Sequence, residues 1–400
     1  MNSTIPGSLE HLSFRNLTTI QVLEALFWVY IFYSMLSRPL GIYIPSAAGV
    51  LLVLLACISI IKLDWRKFTH SKLTQSPMLL ILAVSFTYMF VQVFVHDMSL
   101  STPYVQPFLS WIVLSMVVYI LYDRHGFIKR LAVAMFLCLL ILRPFTVVLL
   151  KGGDVPRQTL AADIKLDNAN TLAAWLGFCA LVFWLWGWNQ AMVLKRFLLW
   201  AFSILSTFFL METVSRGGLI SLVAGLLVGL RSIPKKKWPV VLVILAIVSS
   251  VLYVMSPALF SNYQARMYDE SGRLTVWPIA IRAILAEPWL GYGIDQISNR
   301  VTSLDNYNNY IVPMSPHNGI ILIWLASGAV PALLFILLWY LAILRGYKGK
   351  WLISADIDPL PLIVFAFLEM MQNNLIFMDI WSLVPLFYCF MQKPVENDST

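Results

Sequence analysis

Residues 215–238 read SRGGLISLVAGLLVGLRSIPKKKW. From Gly217 to Leu230 no side chain is charged, and the run is closed by Arg216 on one side and by Arg231, Lys235, Lys236 and Lys237 on the other. An apolar segment fenced by basic residues reads as a membrane-spanning helix with its ends in two different aqueous layers. The denser basic cluster marks the cytoplasmic end, because segments rich in lysine and arginine resist translocation. Arg216 then opens a helix on the outer face.

The rest of the chain obeys the same reading. With 60% hydrophobic residues, 12% charged residues and 15 tryptophans in a length of 400, it has too little polar surface for an ordinary soluble protein. A window of about 20 residues finds apolar spans near 20–37, 41–62, 77–96, 105–122, 131–150, 170–188, 197–214, 216–231, 238–256, 318–345, 359–372 and 376–392. These predict an all-α, polytopic membrane protein of about twelve transmembrane helices. Residues 1–256 carry helices 1–9, 257–317 form a long periplasmic loop with an amphipathic helix, 318–392 carry helices 10–12, and 393–400 form a cytoplasmic tail. The first apolar run lacks a short basic start and a small-residue cleavage site, so it reads as an uncleaved first span. No internal repeat stands out.

The formal charge of +8 does not point to nucleic acid, because the basic residues gather in the loops that set orientation. With the N-terminus inside, DWRKFTHSK (64–72), DRHGFIKR (123–130), KRF (195–197), RSIPKKKW (231–238) and RGYKGK (345–350) all fall on the cytoplasmic side. The four cysteines lie within apolar runs and read as small buried hydrophobes. Three outer segments remain: Lys151–Ala169, the turn at Arg216, and Pro257–His317. Basic residues there run against the general trend, so each asks for a reason. They include Arg157 and Lys165 in the first segment, Arg216 in the turn, and Arg266, Arg273, Arg282 and Arg300 in the last.

Three local patterns on that face carry chemistry. Arg216 with Gly217 and Gly218 at a helix start suits an anion, since the glycines admit a close neighbour and the helix end adds partial positive charge. The same residues also read as a snorkelling arginine with glycines for helix packing. Residues 271–296, SGRLTVWPIAIRAILAEPWLGYGIDQ, space Leu274, Trp277, Ile281, Ile284 and Leu285 as an amphipathic helix on the membrane surface, begun by Arg273 and stopped by Pro288. MSPHNGIILIW (314–324) holds His317 and Asn318 at the start of an uninterrupted apolar helix. His11, His70 and His125 fall in cytoplasmic segments, and His96, beside Asp97 at a helix end, reads as a polar cap.

In this order, SRGG opening a helix, R-x-x-x-W-x-x-A ending in P-x-x-G-x-G (Arg273, Trp277, Ala280, Pro288, Gly291, Gly293), and HNGIILIWLASGAVPALL after a polar loop resemble the O-antigen ligase and polymerase superfamily. The resemblance implies a GT-C-like membrane glycosyltransferase that takes a glycan from an undecaprenyl diphosphate carrier on the periplasmic face of the bacterial inner membrane. Ligases pass the glycan to lipid A-core oligosaccharide, and polymerases pass it to another carrier-linked repeat. It assigns Arg216 and Arg273 to the carrier diphosphate and His317 to the acceptor hydroxyl. Guanidinium groups match phosphate oxygens in pairs, and a neutral imidazole takes a hydroxyl proton near neutral pH. Such a scheme requires neither metal nor cofactor.

Secondary candidates for binding substrate are Arg157 and Lys165, which suit an anionic acceptor, Arg282, Asn318 beside His317, and Arg143, an arginine within an apolar run. Glu212, Glu369 and Asp379 lie near outer helix ends, where they are placed to orient the cations. Besides membrane lipids, the expected partners are the carrier-linked donor and the lipid A-core acceptor. A transporter is the competing class, but this chain has neither the related halves nor the charges near the bilayer midplane that transporters use.

Overall fold

The computed structural model describes residues 18–37, 40, 44–63, 76–98, 106–122, 126–150, 156–160, 169–268, 273–297, 316–348, 357–372 and 380–390. Helices α1 (Thr19–Leu36), α2 (Pro45–Lys62), α3 (Pro77–Phe90, prolonged by the π-helical turn Val91–Val95), α4 (Gln106–Leu121) and α5 (Phe127–Leu142) come first. A hairpin of β1 (Thr146–Leu150) and β2 (Pro156–Leu160) precedes α6 (Ala169–Trp188), α7 (Val193–Glu212), α8 (Arg216–Gly229), α9 (Trp238–Met255), α10 (Pro257–Tyr268) and α11 (Arg273–Ala286). The last group is α12 (Gly319–Ser327), α13 (Ala329–Lys348), α14 (Pro359–Met370) and α15 (Ile380–Phe390).

Local chemistry sets these starts. Thr18 closes a capping box with Gln21 ahead of α1, Ser76 accepts from the Leu79 N–H ahead of α3, and Asp358 accepts from the Leu360 N–H ahead of α14. Proline stands in the first turn of α2, α3 and α14, where its missing N–H breaks no helical bond.

Five described spans are long and apolar enough to cross a membrane: α1, α3 with its π-turn, α6, α7 and α13. Among the described residues this measure does not reach the count of the hydropathy windows, and several apolar runs form helices shorter than the about 20 residues that a bilayer asks of one helix. α8 has 14 residues and α14 has 12. The surface confirms a membrane protein in kind. Ile61, Phe94 and Val254 are 74%, 72% and 76% exposed, an arrangement that water would penalise and lipid does not.

α6 is the central helix, buried on nearly all sides, and packs on α5, α7 and α8. α8 also lies along α14. Between apolar helices in lipid the drive to associate is close packing rather than escape from water, so small residues matter at the contacts. A Cβ on Gly218 would stand 2.8 Å from the Ala173 Cβ, and one on Gly225 would stand 2.6 Å from Leu181 Cδ2. The packing role of the glycines in this helix is thus real. Aromatic rings join other helices edge to face, from Phe108 to Trp111, to Phe335 and to Trp339.

The structure departs from the sequence reading at three places. The all-α expectation is met except for the β1–β2 hairpin, antiparallel with Thr146 opposite Leu160 and Leu149 opposite Arg157. Pro144 ends α5 in a 3₁₀ turn, and the β-branched TVV run that follows favours a strand. Residues 318–345 are two helices rather than one, broken at Gly328 with φ +79°. A Cβ there would lie 1.9 Å from the Trp289 carbonyl oxygen, so the helix opens where the turn after α11 docks. α11 itself buries Val276, Ala280, Ala283 and Ile284, whereas Ile281 and Leu285 from the predicted apolar face are exposed.

Candidate active site

Side-chain contacts sort by end of the bundle. One end, called here the basic end, joins Arg130 to Glu24, Arg196 to the Gln190 carbonyl, and Arg231 to Asp358. The opposite end holds Arg216 and His317, where the tail of α14 lies against the starts of α8 and α12 and Trp277 of α11 bonds just ahead of α12.

The turn ahead of Arg216 is tied on several sides. Ser215 caps α8 by accepting from the Gly218 N–H at 3.2 Å, and its Oγ donates to Asn170 Oδ1 at 2.9 Å in the first turn of α6. Thr213 donates to the Leu210 carbonyl at 2.6 Å and accepts from the Ser215 N–H at 3.3 Å. Tyr263 of α10 donates to the Ser215 carbonyl at 3.5 Å. Val214 between them is fully buried with φ +49°, a left-handed conformation that a β-branched residue rarely takes. Arg216, half-buried, is the first helical residue.

The tail of α14 presses on this helix start. A Cβ on Gly217 would meet Gln372 Oε1 at 2.4 Å, and one on Gly218 would lie 3.5 Å from Glu369 Oε1. Glu369 is 1% exposed. The glycines at 217 and 218 thus leave room for this close approach.

His317 is built in the same manner. It takes φ +48°, is half-buried, and precedes the N-cap of α12. Asn318 Oδ1 accepts from the Ile320 and Ile321 N–H groups at 3.0 and 3.1 Å, and its Nδ2 approaches Met371 Sδ at 3.8 Å, next to Gln372. The Pro316 carbonyl accepts from Trp277 Nε1 at 2.9 Å. Trp277 lies one turn past Arg273 on α11, about 6 Å along the axis. So α11 is fastened directly ahead of His317, while α14 touches both Asn318 and the start of α8.

Of the other sequence candidates, Arg143 bonds Glu212 at 2.8 Å and Thr146 Oγ1 at 2.9 Å and stands 4.9 Å over the Phe209 ring, tying the ends of α5 and α7. Asn318 is 2% exposed and serves as a helix cap, so its described role is to hold the backbone beside His317. Arg282 is exposed on α11, and Arg157 lies on β2 opposite Leu149. Arg273 is placed by its helix alone, with no side-chain contact described. Lys165, Arg300, Asp269, Glu270, Asp305 and Asp379 fall outside the described residues.

Sequence reasoning missed how the P-x-x-G-x-G turn is held. The Tyr292 and Gly293 N–H groups donate to the Leu325 and Ala326 carbonyls at 2.7 and 3.0 Å. Buried Gln92 donates to the Ala326 carbonyl at 2.7 Å and accepts from the Ile294 N–H at 3.0 Å. A lone amide in the apolar run YMFVQVFVH was the available signal. His96, read as a polar cap, ends the π-turn with Nε2 3.2 Å from the Leu290 carbonyl, an arrangement in which that nitrogen carries the hydrogen.

Residues 201–337, about a third of the chain, match the family model for O-antigen ligase, so this stretch is similar to that family. The match runs from within α7 into α13 and takes in Arg216, Arg273, Arg282, His317 and Asn318. No curated protein matches the chain.

Proposed function

We propose that the chain is an O-antigen ligase that moves a glycan from undecaprenyl diphosphate to a sugar hydroxyl of lipid A-core oligosaccharide, on the periplasmic face of the inner membrane. The observation that carries this reading is that Gln372 stands against Gly217 beside Arg216, Met371 against Asn318 beside His317, and Trp277 bonds to the Pro316 carbonyl. It sets the Arg216 and His317 helix starts at one end of the bundle, each beside a left-handed residue that packing alone does not favour. In this reading the chain crosses the membrane about twelve times, and residues 257–317 lie on the periplasmic side.

The chemistry follows from charge. The acceptor oxygen attacks the anomeric carbon while the bond to the diphosphate oxygen breaks, and the leaving diphosphate keeps the electron pair. Arg216 and Arg273 stabilise that charge, which grows as the sugar becomes oxocarbenium-like. The hydroxyl proton passes to His317. Direct displacement inverts the anomeric centre, and the two guanidinium groups take the part that a divalent ion would otherwise play. Arg157, Lys165 and Arg282 are positioned by sequence to steer an anionic acceptor.

The test is a reconstituted assay with one undecaprenyl diphosphate glycan, offered lipid A-core in one reaction and a second carrier-linked repeat in another. Extension of lipid A-core is expected. Extension of the second repeat alone makes the chain a polymerase, and extension of neither removes the transferase reading.

A further inference from the structure

Gln92 lies outside residues 201–337, in the π-turn that prolongs α3, and is 0% exposed. A buried amide in an apolar run costs free energy unless both of its halves are paired. Both are paired here. Nε2 donates to the Ala326 carbonyl at 2.7 Å, and Oε1 accepts from the Ile294 N–H at 3.0 Å. Reversing the amide would set donor against donor and acceptor against acceptor, so the two bonds fix its orientation. Its partners stand 234 and 202 positions away in sequence. A methionine would fill the same length of space without the cost of burying polar atoms. The amide therefore does what packing does not: it sets two distant backbone segments in one place.

One of those segments is the end of α12. A helix that stops leaves its last carbonyls without helical partners. At the Gly328 break the Leu325 and Ala326 carbonyls accept instead from the Tyr292 and Gly293 N–H groups, and Ala326 accepts from Gln92 as well. α12 has nine residues, a length of about 13 Å, with His317 just ahead of its opposite end. That end is set by Asn318 against Met371 and by Trp277 on the Pro316 carbonyl. A short unbroken helix moves as a rod, so the bond at Ala326 bears on where the imidazole stands. α3 is itself fixed, because Tyr88 stacks on Phe108 of α4 with centroids 3.9 Å apart and the helix packs along α13. Single π-turns of this kind occur frequently at functional sites.

We propose, on the transferase reading, that Gln92 is a positioning residue for the His317 imidazole, holding the far end of α12 against α3. Gln92→Met keeps the side-chain length and removes both bonds. Single-turnover transfer from an undecaprenyl diphosphate glycan to lipid A-core is measured in detergent for the native, Gln92→Met, His317→Ala and doubly substituted chains, together with donor affinity. Gln92→Met is expected to lower the rate constant on the order of 10²-fold with donor affinity unchanged, and to add no further loss in the His317→Ala background. A purely structural role would lower the amplitude, since fewer molecules fold, and leave the rate constant of the folded fraction native.

A native rate constant in Gln92→Met overturns the proposal, as does an equal loss with and without the imidazole. Loss in His317→Ala beside a native rate in Gln92→Met strikes Gln92 alone, whereas a native rate in His317→Ala strikes the role of the imidazole and that of Gln92 with it. Amide exchange across residues 316–327 needs no transfer: it is expected to rise in Gln92→Met, and unchanged exchange overturns the proposal. Where Gln92→Met fails to fold, the same readings are taken on Gln92→Asn, an amide one methylene too short to span both partners.

Discussion

The two ends of the α8–α14 pair are finished in opposite ways. At the basic end Arg231 Nε meets Asp358 Oδ2 at 2.9 Å, Ser232 donates to the same oxygen at 2.8 Å, and Asp358 Oδ1 caps α14 through the Leu360 N–H at 2.9 Å. Arg231 also donates to the Gly346 carbonyl at 2.9 Å, which brings in α13. Every part of that arrangement locks helices together. At the other end the glycines of α8 sit against Glu369 and Gln372, while Val214 and His317 hold left-handed backbones beside two helix caps. Left-handed residues of this kind cost of order 1–3 kcal/mol each. A latch explains the first end, and under the proposed function the second end positions reacting groups.

The contrast breaks most sharply on activity. In the proposed mechanism His317→Ala removes the proton acceptor and is expected to lower transfer by about 10²–10⁴-fold. Arg216→Ala, and separately Arg273→Ala, remove charge stabilisation and are expected to lower it by about 10²–10³-fold. Each is measured as glycan transferred per inserted protein, with the thermal midpoint in detergent close to that of the native chain. Transfer at the native rate in His317→Ala takes the imidazole out of the chemistry.

The latch is expected to respond in stability instead. Arg231→Ala leaves a buried carboxylate and is expected to lower folding stability by about 2–3 kcal/mol, less than the about 3–5 kcal/mol of a fully buried pair because Asp358 then takes up a proton. Transfer per folded molecule should stay near the native value. A loss of transfer at unchanged thermal midpoint would erase the distinction between the two ends.

A smaller effect is expected from pH. Burial pushes the Asp358 carboxyl up from its usual 3.8 to about 6, against the lowering influence of Arg231. Because the folded-state value is raised, protonation favours the fold: the contribution is full below about pH 4 and is lost as pH rises through about 6. Between about pH 5 and 7 the native chain should lose about 1 kcal/mol relative to Asp358→Asn, seen as a native thermal midpoint that falls against the variant's as pH rises. Parallel midpoints across that range contradict the assignment.

What the sequence revealed follows from which forces act locally. Apolar runs placed α1, α3, α4, α6, α9 and α14 closely, because a helix that satisfies its own backbone is the only way for one segment to lie in lipid. The order SRGG, Arg273, His317 singled out the helix starts, since caps and helix-breaking residues announce them. Other features depend on a distant partner and leave no local trace. The break at Gly328 exists because the Trp289 carbonyl arrives there, yet the run HNGIILIWLASGAVPALL reads as one helix. The engagement of Arg143 by Glu212 depends on two helix ends meeting across 69 positions of sequence. The place of Gln372 against Gly217 is set by α8 and α14 lying side by side.

The most direct measurement separates binding from transfer. Purified native, His317→Ala and Arg216→Ala proteins are titrated with an undecaprenyl diphosphate glycan, and single-turnover transfer to lipid A-core is followed with the same samples. The expected result is native donor affinity without transfer in His317→Ala, and weakened donor affinity in Arg216→Ala. Native donor affinity in Arg216→Ala together with lost affinity in His317→Ala would contradict the division of labour between the guanidinium and the imidazole.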